Sequence, residues 1–437
     1  MANTKSHSGQ THPIRITLLG LIFLIWAIPG FAQSDNYSGE SAARPRQYLL
    51  GDWGGRRTAL DSRGVDFDFN HVADLQANPV GGKQQTRAGW ARIRGTVDID
   101  FGRLAEINGL TFHATGLWQY GANLGEKIGT LANPSALVSV HSTRLDSWWF
   151  QQALFHYRLF IKAGQFAGQD FYGVQQYGPS YLIEPLGYAL GNLFSNTYES
   201  FRSAGTPAAE IRFFPLSSFY IKSAVLAGNR DPFNQDPTGF GFTIRNTPVF
   251  VYEAGYLVDE SDTEASNSAT PRKIYPGSYK LGAAYNGGKF HNPITNQDNN
   301  GNYLIYFMAN QAVYRPFPGS NRGLDLDFAL DWSPTDLNQE YEQITGGLRY
   351  NGIIPHRDQD GLAFGVVYSK ISDQFSSGGT RIGLPSLGSE KAIELNYSIQ
   401  VSRCILLQPA FQYYIDVGAN SHVPNAAVLG FRTKVTF

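Results

Sequence analysis

Cysteine, methionine and charge are all scarce in this chain of 437 residues. It has two Met and a single Cys, at position 404, which excludes a disulfide framework and a cysteine-based metal cluster. Charged residues make up 16% of the sequence, against roughly 25% in an average soluble protein. The formal net charge of −1 and the pI near 6.8 argue against binding to nucleic acid.

Long apolar runs are missing after the N-terminus. No segment beyond residue 32 approaches the length of a membrane-spanning helix, and the mean hydropathy is −0.26, which excludes a polytopic helical membrane protein. A membrane barrel is compatible with these values, because its strands alternate apolar and polar residues. Aromatic residues (14%) and glycine (47 residues) are abundant, and this composition excludes a disordered chain.

The N-terminus has the order of a secretory signal. Lys5 and Arg15 precede an apolar run over residues 16–28, and small residues stand before a cleavage point after Ala32. The run is shorter than the ~20 residues of a spanning helix, so a cleaved signal over residues 1–32 is predicted and a membrane anchor is the alternative. The exported chain is then either soluble or a barrel in a bacterial outer membrane.

Two-residue alternation dominates the rest of the sequence. Over residues 91–101 the odd positions are apolar or small and the even positions are polar, among them Arg92, Arg94, Asp98 and Asp100. Alternate side chains of a strand point to opposite faces, so this segment has one apolar face and one charged face. Similar alternation occurs over residues 65–70, 110–120, 393–402 and 429–437.

The alternation predicts sixteen strands joined by short turns and longer polar loops. They are expected to begin near residues 65, 90, 109, 146, 158, 206, 218, 249, 278, 302, 324, 342, 361, 391, 405 and 426. We therefore predict an all-β fold, a transmembrane antiparallel β-barrel over residues 65–437, with aromatics such as Trp90, Trp118 and Tyr414 in interfacial girdles. A soluble β-sandwich is the alternative, but no linker divides the region into domains of sandwich size.

Residues 33–64 are predicted to form an N-terminal periplasmic segment. Within it, residues 56–63 are expected to form a short helix that ends at Gly64, since glycine is favoured just after a helix end. This helix is expected to plug or brace the periplasmic mouth of the barrel.

Several blocks of the sequence resemble the OprB-type carbohydrate-selective porin family. They are Leu-Gly-Asp-Trp-Gly-Gly-Arg at residues 50–56, and the segments 149–171, 224–233, 346–361, 394–413 and 430–437. The resemblance implies a 16-stranded outer-membrane barrel for passive diffusion of glucose, related mono- or disaccharides and polyols, and a monomer. This chain departs from the family pattern at Gln165, where Lys or Arg is common, and its following acid is delayed to Asp170.

The predicted inward faces supply candidate pore-lining and sugar-binding residues, because charged and amide groups hydrogen-bond sugar hydroxyls and aromatic rings cover the apolar faces of sugars. The candidates are Arg92, Arg94, Asp98, Asp100, Arg158, Phe160, Lys162, Gln165, Glu394 and Asn396. Each of them is alternatively a residue that only lines a hydrated wall or braces it through ion pairs. Diffusion needs no catalytic group, so no catalytic residue, cofactor or metal site is predicted.

Phe437, at the end of the last alternating strand, resembles the terminal assembly signal of outer-membrane barrels. The expected partners are therefore small sugars as permeants, outer-membrane lipid and the barrel-assembly machinery, with no nucleic acid. Three other functions stay open: a general or anion-preferring porin, a secreted sugar-binding module, and a barrel-type lipid hydrolase using Ser with His71 or His113. The turn with Asp358 and Asp360 is read as solvated, with a cation site as the alternative.

Overall fold

The computed structural model describes residues 48–188, 190–192, 196–197, 204–228, 232–244, 247–258, 275–292, 295–317, 319–381 and 383–437. The predicted signal over residues 1–32 lies outside the described residues.

Sixteen antiparallel strands in the described chain form a closed barrel, in which each strand pairs with its chain neighbours and the last strand pairs with the first. They are β1 Val65–Val80, β2 Thr86–Asp100, β3 Leu110–Gly121, β4 Ser142–Leu154, β5 Leu159–Phe166, β6 Thr206–Leu216, β7 Phe219–Leu226, β8 Val249–Val258, β9 Gly277–Asn292, β10 Gln297–Tyr314, β11 Gly323–Trp332, β12 Glu340–Asn351, β13 Gly361–Ile371, β14 Ser389–Ser402, β15 Ile405–Ile415 and β16 Ala426–Thr436. Closure pairs the backbone of every strand on both sides, as a wall in lipid requires. The predicted barrel and its strand number are confirmed, and the sandwich alternative is wrong.

The helices are short. Within the described residues they are α1 Arg56–Ser62, α2 Phe101–Ala105, α3 Leu124–Ile128, α4 Glu184–Gly187, α5 Pro232–Gln235 and α6 Asp373–Arg381. The helix α1 ends where the sequence predicts, before Gly64, whose φ of +86° is a left-handed conformation that glycine adopts without strain. None of these helices is both long and apolar enough to cross a lipid bilayer.

The outer surface of the wall is apolar. Exposed residues such as Leu75, Trp118 and Leu281 alternate along their strands with polar residues that face inward, which is the pattern of a lipid-facing wall. Trp90 and Tyr414, predicted for the aromatic girdles, instead face the interior. Trp90 packs on Leu137 and Tyr414 packs near Leu124, because loop segments inside the barrel give these rings an apolar surface to cover.

Two connections on the same rim fold into the barrel. We call residues 122–141, between β3 and β4, the first inner loop, and the described residues between β5 and β6 (167–188, 190–192, 196–197 and 204–205) the second inner loop. The first inner loop reaches the opposite wall, where the backbone N–H groups of Leu131 and Ala132 donate to Glu390 at 2.9–3.0 Å. Gln76 and Gln412 both donate to the carbonyl of Pro134.

The segment before β1 contacts the seam between β1 and β16. Arg57 donates to the carbonyl oxygen of Phe437 at 2.9 Å, and the N–H of Leu49 donates to Thr436 at 3.0 Å. The Phe437 N–H donates to Phe69 at 2.8 Å, and the two rings meet edge to face with centroids 5.3 Å apart. This arrangement braces the end of the chain.

Candidate functional site

Buried polar side chains of the wall hold the second inner loop. The Glu394 carboxylate accepts hydrogen bonds from the backbone N–H groups of Leu182 and Ile183, both at 2.8 Å. Asn396 donates to the carbonyl of Ser180 at 2.8 Å. Both predicted residues therefore face the interior, but they bind protein backbone there. A local sequence pattern does not reveal a partner that is more than 200 residues away in the chain.

Tyr181 is a further anchor of the second inner loop. Its hydroxyl donates to Asp327 at 3.0 Å, and burial together with the Asp327 carboxylate raises the pKa of Tyr181 well above its ordinary value. The phenol therefore stays protonated and keeps its hydrogen bond to Asp327 on the wall.

The same loop is also tied to the wall on its other flank. Glu253 accepts the N–H of Gly173 at 3.1 Å, and Lys280 donates to the carbonyl of Val174 at 3.0 Å. The wall residues named so far that hold the second inner loop belong to strands β8, β9, β11 and β14. The inward faces of β2 to β6 form the opposite side of the interior.

Arg92 and Arg94 occupy that opposite side. Arg92 pairs directly with Val72 of β1, and Arg94 pairs with Asn70. These partners lie on the same face of β1 as the buried Asp74. Both arginines therefore point inward, as predicted. Each keeps part of its surface exposed. Within the described chain neither arginine takes part in a side-chain hydrogen bond or an ion pair, and both Nε atoms are buried without a partner. Unpaired guanidinium groups that touch solvent are suited to bind a passing solute.

An aromatic and imidazole surface continues the arginine wall. The His113 Nδ1 atom lies 2.6 Å from Asp98, and the His113 ring stacks on Trp149 with centroids 4.9 Å apart and an angle of 10°. Phe171 of the second inner loop meets Trp149 edge to face at 6.3 Å. The Asp98 position is therefore on the inward face as predicted. Trp149 is not among the predicted pore-lining residues, and the sequence names His113 only for the hydrolase alternative, although the parity of β4 places Trp149 on the same face as Gln151.

Asp170 brings a carboxylate from the second inner loop towards the arginines. The Tyr188 hydroxyl donates to it. Burial raises the pKa of Asp170, while Arg94 and Arg92 act in the opposite direction. The sequence marked Asp170 only as a departure from the family pattern, and its position opposite β2 depends on how the loop folds inward.

Of the other predicted pore-lining residues, some face the barrel interior and some do not. Phe160 and Lys162 face the interior of β5, where Lys162 Nζ lies 3.5 Å from Glu210. Three residues that were predicted to line the pore do not face the interior. Arg158 is exposed in the turn between β4 and β5; Asp100 caps α2 through the N–H of Gly102; and Gln165 has the opposite parity to Lys162.

The Gln165 side chain is covered by the connection between β7 and β8, where it donates to the carbonyl of Gly239 at 2.9 Å. Alternation from Lys162 already places Gln165 on the other face, whereas the turn over residues 155–158 and the start of α2 at Phe101 take Arg158 and Asp100 off the inward face.

Comparison with known proteins identifies the barrel. The family model described as "Carbohydrate-selective porin, OprB family" matches residues 87–437. The chain belongs to this family. Porin B of Pseudomonas aeruginosa is 23% identical over 98% of this chain and 99% of its own length. Putative porin QuiX of Acinetobacter baylyi is 21% identical over 90% of this chain and 94% of its own.

Solved structures show the same fold. The high-pH structure of Pseudomonas putida OprB superposes with a TM-score of 0.82 at 19% identity, covering 91% of this chain and all of that chain. Its low-pH structure superposes with a TM-score of 0.58 at 16% identity, covering 89% and 98%. This OprB-family chain is thus a porin of the bacterial outer membrane, a channel rather than an enzyme, and small solutes are its permeants.

Proposed function

We propose that this porin lets glucose, related mono- and disaccharides and small polyols diffuse passively along the side of the interior that lies between β2–β6 and the second inner loop. The residues proposed to guide the solute are Arg92, Arg94, His113, Trp149, Asp170 and Phe171. Asp98, Phe160 and Lys162 extend the same wall, and Glu394 and Asn396 are proposed to act indirectly by holding the loop.

The convergence of Arg92, Arg94 and His113 on Asp170, whose chain neighbour Phe171 meets the Trp149 ring, carries the proposal. Guanidinium groups donate to sugar hydroxyls, a carboxylate such as Asp170 accepts from them, and an aromatic face covers the apolar C–H surface of a sugar ring. Such contacts must be weak enough for the solute to leave, because conduction requires both entry and exit. No protein group needs to react with the solute.

Planar-bilayer conductance of the purified mature porin tests this function. Glucose and a polyethylene glycol of similar size are titrated separately against the ion current. Saturable block by glucose alone is the expected result, and Trp149→Ala should weaken it several-fold, while Arg158→Gln, at the exposed turn, should leave it unchanged. Open channels that respond equally to both solutes would contradict sugar recognition.

The processing and assembly of the chain are further parts of the proposal. We infer that cleavage after Ala32 leaves a mature chain starting at Gln33, that the barrel-assembly machinery recognises Phe437, and that the porin is a monomer. Intact-mass analysis of the exported protein checks the cleavage point. Sedimentation in detergent checks the oligomeric state.

A further inference from the structure

A groove crosses the lipid-facing surface of the wall over strands β1 to β3. Its floor is Gly95 of β2, which pairs directly with Gly116 of β3, and Gly116 has the same outward parity as the exposed Trp118. Because neither glycine has a side chain, the wall is recessed between the rings of Phe69 and Trp118, which are 43% and 48% exposed. We call the recess lined by these four residues the wall groove.

Two segments that are not strands of the wall extend the groove at its ends. Before β1, Trp53 lies beside Phe67 with ring centroids 6.5 Å apart, and both rings border the groove. At the other end the groove is bordered by Phe240, in the connection between β7 and β8. That connection is fixed to the wall, because the N–H of Leu145 donates to the carbonyl of Thr238 at 2.9 Å.

The surface of the groove is mostly apolar. Arg57 and Arg144 border its two ends, but neither offers its charge to the groove. Arg57 donates to the carbonyl oxygens of Phe437 and Phe67. The buried Arg144 lies 3.8 Å from Asp146 within the wall. The groove therefore suits an apolar occupant.

A fatty acyl chain is a narrow apolar occupant, and the groove is continuous with the surface that already faces lipid. A lipid chain and an apolar wall are equally apolar, so a preferred position must come from van der Waals packing. A smooth wall contacts a chain on one side, whereas the groove contacts it on its floor and along both rims. Residues 33–47, which precede the described chain, are mostly polar and do not match this lining.

We propose that the wall groove binds one acyl chain of a membrane phospholipid more tightly than the rest of the lipid-facing wall does. The groove lies outside the barrel, so this inference does not rest on the proposed sugar passage. Because neither arginine offers its charge to the groove, the site selects the chain and not the headgroup.

Native mass spectrometry of the full mature porin, titrated with dipalmitoyl phosphatidylglycerol in detergent, tests the site. One lipid should bind about tenfold more tightly than any further one. Dipalmitoyl phosphatidylethanolamine should give the same affinity. Lipids that all bind equally, or a first lipid that depends strongly on its headgroup, would overturn the proposal.

The double variant Gly95→Leu/Gly116→Leu fills the groove. A Cβ atom at Gly95 or Gly116 lies 3.5 or 3.9 Å from its nearest neighbour, so the substitutions leave room for the strand pairing. The tight binding should weaken about tenfold. Gly346→Leu is the matched control, because Gly346 also faces lipid, between the exposed Phe328 and Val366, and it should retain the tight site. Unchanged binding in the double variant, or an equal loss in the control, would overturn the proposal.

A measurement on the wild-type porin decides the case if the double variant does not assemble. The porin is placed in lipid nanodiscs with a phospholipid that has a photoreactive diazirine in one acyl chain, and the labelled peptides are identified after illumination. Labels should concentrate on residues 91–97 and 112–118 and be several-fold weaker on residues 342–348, around Gly346. An even distribution of labels around the barrel would overturn the proposal.

Discussion

Arg432 and Asp74 form a two-pronged ion pair across the seam at which the barrel closes. The Nε–Oδ1 and Nη2–Oδ2 distances are 2.7 and 2.8 Å. Arg432 also donates to the carbonyl of Tyr181 at 2.9 Å, and the Ser135 hydroxyl donates to Asp74 at 2.5 Å. One pair of residues thus links the first strand, the last strand and both inner loops.

Substitution Arg432→Met should destabilise the barrel strongly. It leaves the Asp74 carboxylate buried without its cation, and breaking a buried ion pair on one side costs about 3–5 kcal/mol. Denaturant unfolding in detergent measures the loss. Arg103→Met breaks an exposed pair with Asp100 and should cost less than about 1 kcal/mol; equal losses in both variants would show that the seam pair contributes little.

Substitution Glu394→Gln should loosen the second inner loop. The amide offers one acceptor oxygen where the carboxylate serves two backbone N–H donors, and the lost charged hydrogen bond contributes about 1.5–3 kcal/mol. The expected result is a noisier single-channel current with a larger mean conductance. The exposed Glu106→Gln serves as the control, and a current trace as quiet as that of the wild type would mean that Glu394 does not position the loop.

Ion selectivity should depend on pH through Asp170. Because burial raises its pKa, this carboxyl becomes neutral at a higher pH than an ordinary aspartate, whose pKa is about 3.9. As the pH falls, the passage then loses a negative charge and anion preference rises. The charged or titratable groups that face or influence Asp170 are Arg92, Arg94, His113, Asp146, Lys162 and Tyr188.

Reversal potentials measured across mildly acidic pH values check this dependence. Asp170→Asn should show the acidic-pH selectivity already at neutral pH and should lose the part of the pH response that Asp170 provides. Comparing variant and wild type isolates the part of the pH response that comes from Asp170. Identical pH curves for the two proteins would exclude Asp170 as the titrating group.

The barrel could be predicted from sequence because each strand follows a local rule, the two-residue alternation of apolar and polar side chains. All sixteen predicted strands exist, and most begin within two residues of the expected position. The larger differences occur at β2, β4 and β10. In β4 the register shifts between Thr115 and Gly116 of its partner strand, and in β10 between Asn300 and Asn302; such irregularities break the two-residue alternation.

The inner loops could not be predicted in the same way. Glu394 meets Leu182 across 212 residues of chain, and Arg432 meets Tyr181 across 251. Alternation shows that these side chains face inward, but it does not distinguish a residue that binds a loop from one that faces the passage. For this reason the inward face of Arg92 and Arg94 could be predicted, while the positions of Trp149 and Asp170 beside the same interior could not.

Substitution Phe437→Ala should reduce assembly of the barrel. The ring packs against Phe69 and the residue ends the strand that closes the seam, so its loss removes both the edge-to-face contact and the proposed terminal signal. The amount of heat-modifiable barrel in outer-membrane fractions measures assembly. Phe431→Ala, on the lipid-facing wall, is the control; a normal yield of the Phe437 variant would exclude this role.

The most direct test of the account is chemical modification of a cysteine at position 92. In an Arg92→Cys/Cys404→Ser protein, a charged methanethiosulfonate reagent adds bulk on the inward face of β2, and mass spectrometry confirms the reaction. If solutes pass between Arg92 and the second inner loop, single-channel conductance should fall markedly, whereas the same reaction at Arg158→Cys should leave it unchanged. Full modification at position 92 with unaltered conductance would place the passage elsewhere in the barrel.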